Sequence, residues 1–279
     1  NTCDCANKLS NIIAASDKTN LSNYNLNSFK VSNFIQVPNY YGDIEEIFVL
    51  NNKLYAHTKD ILWQIFTNDK QLKVDDTTVY LGTGELFSED PLPIYASSVG
   101  FGGNKFKFGY LLNELGIIWY DTYAGKIHLL NDKMETLSDE GMSYFFKDTA
   151  KFCGSDCNPI LFTYDYYNNR FLMTKKDKVS DTCDKSYTIS YSFATKSFVS
   201  FHSFIPDYYI YDRNNYYSSK NGKLYTHNIK CDFTTYYDIP YSLEYEAVIS
   251  PKLDLMSNTT GSIHFNTMAY KCDNNCQDI

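Results

Sequence analysis

Eight cysteines, five histidines and a sparse set of arginines are the residues of this chain best suited to chemistry. The cysteines stand at 3, 5, 153, 157, 183, 231, 272 and 276, and form three close pairs, Cys3/Cys5, Cys153/Cys157 and Cys272/Cys276. A structural zinc site usually sets one C-x2-4-C pair against a second. Cys153-Gly154-Ser155-Asp156-Cys157 supplies one half, with Cys183 and Cys231 as candidate completions. An even count equally admits disulfides, and Asn20-Leu21-Ser22 and Asn258-Thr259-Thr260 have the form of glycosylation sequons. Free or buried thiols are the third reading and the one preferred here. No ligand set is complete, so no metal site is assigned.

The remaining reactive residues point away from catalysis. His57, His128, His202, His227 and His264 show neither i, i+4 pairing nor H-E-x-x-H spacing. His57 and His128 fall in or beside predicted strands, where solvated or hydrogen-bonded positions account for them. No G-x-S-x-G phrase and no C-x-x-C pair is present. A sialidase clamps its substrate carboxylate with several planar guanidinium groups, and Arg170 and Arg213 are the whole arginine complement. A glycosidase needs two carboxyl groups across a cleft, for which Asp121 and Asp165 are candidates. Tyr-Asp ahead of a turn reads more simply as a side chain capping that turn. No catalytic, cofactor-binding or metal-binding residue is expected, and the protein is read as a non-enzyme that needs no cofactor.

Bulk charge narrows the partners. A net charge of −8 leaves no basic footprint, whereas duplex binding needs Lys and Arg gathered on one face. Lys53, Lys59, Lys70, Lys73, Lys105 and Lys107 are scattered among carboxylates. No apolar run approaches the roughly 18 residues of a membrane-spanning helix. The chain opens at Asn1-Thr2-Cys3 without an initiator Met, and is read as part of a longer product. Aromatics make up 17% of it, with 26 Tyr and 19 Phe. Tyr buries a ring while keeping its hydroxyl on a partner, which suits strands and surfaces buried in assemblies.

The elements that must position these residues announce themselves as a recurring strand-turn-strand phrase. Ile117 to Asp121 turns through Ala124-Gly125 into Lys126 to Leu130, and Leu161 to Asp165 turns through Asn168-Asn169 into Arg170 to Met173. Thr188 to Phe193 turns at Thr195-Lys196 into Ser197 to Phe201, and Tyr216 to Ser219 turns at Asn221-Gly222 into Lys223 to His227. A fainter copy joins Ile47 to Leu50 with Lys53 to His57 through Asn51-Asn52. β-Branched and aromatic runs around a short Asn/Gly/Lys turn predict β-hairpins. From Tyr120-Asp121 to Tyr164-Asp165 is 44 residues, the length of one four-stranded propeller blade. One such unit cannot bury its apolar face alone, so several must stack. The expected fold is all-β, a β-propeller of antiparallel four-stranded blades with a small C-terminal β extension.

Residues 1–44, Asn/Ser-rich, read as a connector or edge segment with one or two strands. Residues 45–230 carry the blades, and 231–279 form a C-terminal β segment leading to another domain, with Ser242 to Ile249 as a strand wet on one face. Val99-Gly100-Phe101-Gly102-Gly103 reads as a tight crossing with close backbone approach. Phe106 to Glu114 is expected to pair with Gly116 onward. One helix is expected after Leu137, with Ser138 as its N-cap, Asp139 and Glu140 at the positive end of its dipole, and Met142, Tyr144, Phe145 and Phe146 as its apolar face. Gly141 would be there to pack closely on a neighbour.

Asn113-Glu114-Leu115-Gly116-Ile117-Ile118-Trp119-Tyr120-Asp121, with Gly125-Lys126-Ile127 and Leu137-Ser138-Asp139-Glu140-Gly141-Met142, resembles the propeller of tail nozzle proteins of short-tailed bacteriophages. So does Ser200 to Tyr209 followed by Tyr217 to Tyr225. The nearest likeness is to the muzzle proteins of crAss-like phages, over roughly residues 45–250. The resemblance implies a virion structural protein, made in the host cytoplasm and assembled as a homo-oligomeric ring, six copies being expected, at the tip of the tail. It implies contacts with other tail proteins such as the hub or adaptor and the fibres, and a lumen through which DNA leaves at ejection. An acidic wall would let DNA slide without sticking. The rival from another class is a propeller that binds a host glycan or protein through Tyr166-Tyr167, Tyr208-Tyr209-Ile210-Tyr211 or Tyr236-Tyr237.

Overall fold

A computed structural model describes residues 11–20, 23–25, 29, 31–67, 71–74, 77–80, 86–87, 89–94, 102–154, 159–180, 183–212, 215–228, 235–237 and 239–240. Strands dominate them, with one α-helix, so the chain is all-β. It divides into two compact units, Asn1–Ile205 and Pro206–Ile279.

All five predicted hairpins form, because each turn supplies the backbone its strands need. Asn51, Asn52 and Asn221 take positive φ in two-residue turns, the conformation such connections require, and Asn169 and Lys196 take it at the last position of four-residue loops. At the fourth hairpin Asn221 and Gly222 sit at φ 52° and 76°, and open space surrounds the position a Gly222 Cβ would take. Gly222→Val therefore acts through backbone strain alone. It should destabilise its unit by about 1–2 kcal/mol, read as a lowered thermal midpoint, and an unchanged midpoint would contradict the turn.

The first unit holds three antiparallel sheets of four strands, each laid down in chain order. The first sheet runs Ile44–Leu50, Lys53–Thr58, Leu62–Ile65 and Leu92–Pro93. The second runs Tyr110–Asn113, Gly116–Asp121, Lys126–Leu130 and Met134–Thr136. The third runs Ile160–Asp165, Arg170–Lys175, Tyr187–Ser192 and Ser197–His202. Tyr110–Asn113 lies against Ile160–Asp165, so the leading strands of the second and third sheets are neighbours.

Alternation assigns each face of the first sheet a partner. Phe48, Leu50, Tyr55 and Leu62 pack on Ile117, Trp119 and Leu130 of the second sheet. Ala56, Trp63 and Ile65 pack on Ile13 and Val37, where strand Ile12–Ala14 pairs with Phe34–Gln36. The N-terminal segment carries more strands than the one or two expected: besides this pair, Asp17–Asn20 pairs with Asn23–Asn25. Between the second and third sheets sits the helix Ser143–Thr149. Its fully buried Phe146 ring lies 5.9 Å from Tyr120 and 4.9 Å from Phe198, and its carbonyl accepts a hydrogen bond from the Tyr120 hydroxyl at 2.9 Å.

Three local expectations need correction. The helix starts at Ser143 with Met142 at its cap position, and Ser138 belongs to a preceding 3-10 turn, Leu137–Asp139. The Ser138 hydroxyl is drawn elsewhere: buried, it accepts the Ile127 N–H at 3.2 Å. Gly141 packs on nothing; its φ of 86° explains it, by reversing the chain between the two helical turns. Residues Phe106 to Gly109 form a turn closed by the Gly109 N–H on the Phe106 carbonyl, so pairing starts only at Tyr110. Gly103 meets its expectation of close backbone approach, since a Cβ there would fall 2.2 Å from the Lys59 carbonyl oxygen. Residues 99–101, with Gly100, and the strand read at Ser242 to Ile249 lie outside the described residues.

The second unit contains a three-stranded antiparallel sheet, Tyr208–Tyr211, Tyr216–Lys220 and Lys223–Thr226. A short pair, Thr235–Tyr236 with Ile239–Pro240, follows. The Tyr237 hydroxyl reaches Ser218 Oγ at 2.8 Å, and its ring meets Tyr225 edge-on at 4.7 Å.

Candidate functional site

Asp121 and Asp165 each end the first strand of a hairpin, opposite Lys126 and Arg170 respectively. Asp121 Oδ1 accepts the N–H groups of Tyr123 and Ala124 at 2.9 and 3.1 Å, and Oδ2 accepts that of Gly102 at 3.0 Å. Asp165 Oδ1 accepts the Asn168 N–H at 3.3 Å. Its Oδ2 accepts Asn168 Nδ2 at 2.7 Å and Arg170 Nε at 2.9 Å, a buried ion pair. Burial pushes the Asp121 carboxyl above its usual range, with the three backbone N–H groups opposing. Both carboxylates cap turns, as their sequence context predicted, and Asp121 also holds the Gly102 N–H of a distant segment.

The histidines scatter over separate sheets. His202 Nε2 and Ser190 Oγ lie 3.0 Å apart, and His128 Nδ1 and Thr136 Oγ1 3.2 Å apart. His227 stacks on Tyr216 at 4.4 Å and shares a 2.6 Å hydrogen bond with Ser218 Oγ. His57 departs from expectation. It is fully buried, neither ring nitrogen has a hydrogen-bond partner among the described residues, and Phe48 and Trp119 enclose it at 5.3 and 4.9 Å. Alternation placed it on the face covered by the second sheet, which strand reading alone left open to water. His264 lies outside the described residues.

Cysteine chemistry also needs revising. Cys153 and Cys183 form a disulfide, so two cysteines are paired and the Cys153 sulfur is not available as half of a zinc site. Among the described residues no group of three or more His, Cys, Asp or Glu side chains is placed to hold a metal ion. Cys3, Cys5, Cys157, Cys231, Cys272, Cys276 and Arg213 lie outside those residues, as do the side chains of both sequons.

Around that disulfide is a buried ionic clasp that sequence reasoning missed. Lys175, at 0% side-chain exposure, ends strand Arg170–Lys175. Its Nζ donates to the carbonyls of Thr149 and Lys151 at 2.6 and 3.0 Å and lies 2.9 Å from Asp177 Oδ2. It also sits 4.3 Å from the Phe152 ring centroid. Asp177 Oδ1 accepts the N–H groups of Cys153 and Gly154 at 2.7 and 3.1 Å. Burial pulls the Lys175 ammonium below its usual range, and Asp177 opposes that pull. One lysine and one aspartate thereby fasten the chain leaving the helix to the third sheet. The available signal was Lys175-Lys176-Asp177 following the apolar run Phe171-Leu172-Met173.

What the described surface offers is apolar side chains on outer strands. Ile47 and Val49 are exposed on Ile44–Leu50, and Val199 and Phe201 on Ser197–His202, each strand at the edge of its sheet. In the second unit Tyr208, Ile210 and Leu224 are exposed. Of the tyrosines proposed to stack on sugars, Tyr167 and Tyr208 are exposed. Tyr166 donates to Glu114 at 3.0 Å, joining the second and third sheets. Both outer strands carry a β-bulge in their pairing, a feature that discourages indiscriminate edge pairing. No helix among the described residues is long and apolar enough to cross a membrane.

No curated protein matches the chain. A family model described as "Crassvirus muzzle protein" matches residues 5–222, which include all three four-stranded sheets and the fourth hairpin as far as Gly222. With well over half its length matched, the chain belongs to the crAss-like phage muzzle proteins and is a structural component of the phage tail.

Proposed function

We propose that this protein forms part of the wall of the distal nozzle or muzzle ring around the DNA exit channel, and takes part in genome ejection. The observation that carries the reading is the succession of four-stranded antiparallel sheets in a chain that matches the muzzle family. Such sheets, the first and second packed face to face and the second and third with adjacent leading strands, suit propeller blades over residues 45–230, with 1–44 as connector and 231–279 leading onward. Six copies would close the ring, contacting hub or adaptor proteins and fibres and leaving a lumen through which DNA passes without specific binding. A net charge of −8 favours sliding over adhesion. Exposed apolar residues on the outer strands supply area for contacts between copies and with other tail proteins.

Imaging intact virions with a tag on this polypeptide tests the placement. Signal at the distal tip of the tail is expected, and signal in the head, or none, overturns it. A second reading, a propeller that recognises a host glycan or protein, draws on exposed Tyr167 and Tyr208. Size in solution separates the two, since a ring component runs as a multimer and a free recognition module as a monomer.

A further inference from the structure

The face shared by the first and second sheets is apolar except for a line of titratable side chains, Glu46, His57 and His128. Glu46 and His57 are directly paired across the first sheet. His57 presses its ring on Trp119 of the second sheet, and Trp119 in turn lies 5.4 Å from His128. Buried polar atoms are left over here. Glu46 Oε2, both His57 nitrogens and Trp119 Nε1 have no hydrogen-bond partner among the described residues. In a packed interior such groups are rare and costly. Other titratable groups approach from each packed element: Tyr110 hydrogen-bonds Glu46, Lys126 and Asp139 act on His128, and Asp132 acts on Tyr55. At the rim Asn51 Nδ2 donates to Asn131 Oδ1 and Asp132 Oδ1 at 3.0 and 3.1 Å, tying the two sheets' turns together.

We propose that this seam is a pH-tuned joint, in which a proton gained by His57 or His128, or lost by Glu46, places a charge in the buried face between the sheets and loosens them. Burial is the leading cause in each case. It takes His57 down to about 3 and His128 to about 4, and lifts Glu46 to about 8. Opening the seam returns these groups to water, where histidine titrates near ~6.5 and glutamate near ~4.3. For the histidines, whose folded values are depressed, stability is full above ~6.5 and declines as pH falls. For Glu46, whose folded value is raised, stability is full below ~4.3 and declines as pH rises towards about 8. Between ~4.3 and ~6.5 opening therefore takes up two protons and releases one. Between ~6.5 and ~8 only the release remains. The hold is greatest around pH ~6.5, and the opening constant grows about tenfold per pH unit on either side.

The chain's two tryptophans are Trp63, on the first sheet, and Trp119, within the seam. Urea titrations of the full chain read by their fluorescence, from pH 5 to 8.5, therefore report on this region. Relative to the parent, Glu46→Gln should lose the alkaline decline and steepen the acid one to about a hundredfold per pH unit. His57→Phe should level the acid side. Should that variant fail to fold, His128→Gln must remove the same single proton. Stability curves for Glu46→Gln and the parent that run parallel across the range would overturn the proposal.

Discussion

Replacing Lys175 by methionine should cost about 3–5 kcal/mol of unfolding free energy, although the two side chains are similar in length. The ammonium satisfies two backbone carbonyls and faces the Asp177 carboxylate in a place without water. Methionine fills the space but leaves a buried carboxylate without its cation and two carbonyls without a donor. Converting Asp177 to Asn in the Lys175→Met background should recover part of the loss, because the remaining partner is then neutral. Urea unfolding followed by circular dichroism reads both effects. A single-variant loss below about 1 kcal/mol would show that the clasp does not hold the post-helix segment.

Trp119→Ala should be comparably damaging, at about 3–5 kcal/mol. Trp119 is fully buried and is the largest second-sheet side chain in the core shared with the first sheet. Truncation leaves a cavity bordered by His57 and His128 and removes packing for Phe48, Tyr55 and Leu62. Trp119→Phe, which keeps an aromatic plate, should cost distinctly less. Near-equal losses for the two variants would mean that the site collapses around any side chain and that the seam does not depend on the indole.

Much of this protein was legible in its residues because hairpins are local. The Asn-Gly and Asn-Asn turns select backbone angles within two residues, and alternation fixes which side chains share a face. That logic set the five hairpins, the turn-capping duty of Asp121 and Asp165, and the family likeness of the Asn113 to Asp121 run. The helix was legible as an apolar cluster but misplaced at its start, and of the face expected for it Phe146 is buried while Tyr144 is exposed. Ser138 could cap a helix or bond a neighbouring strand, and only the approach of Ile127 decided between them.

Tertiary structure alone decided the rest, because it concerns what covers a face or meets across a long stretch of chain. Nothing near His57 in the sequence tells that Trp119 will close over it and strip its water. Cys153 and Cys183 are 30 residues apart, with two four-residue-or-longer strand runs between them, and Asp177 accepts the Cys153 N–H beside their disulfide. Lys175 likewise becomes a clasp only when the helix end arrives with two free carbonyls. Local sequence chooses backbone angles and faces, while burial and charge pairing depend on which distant segment arrives to complete them.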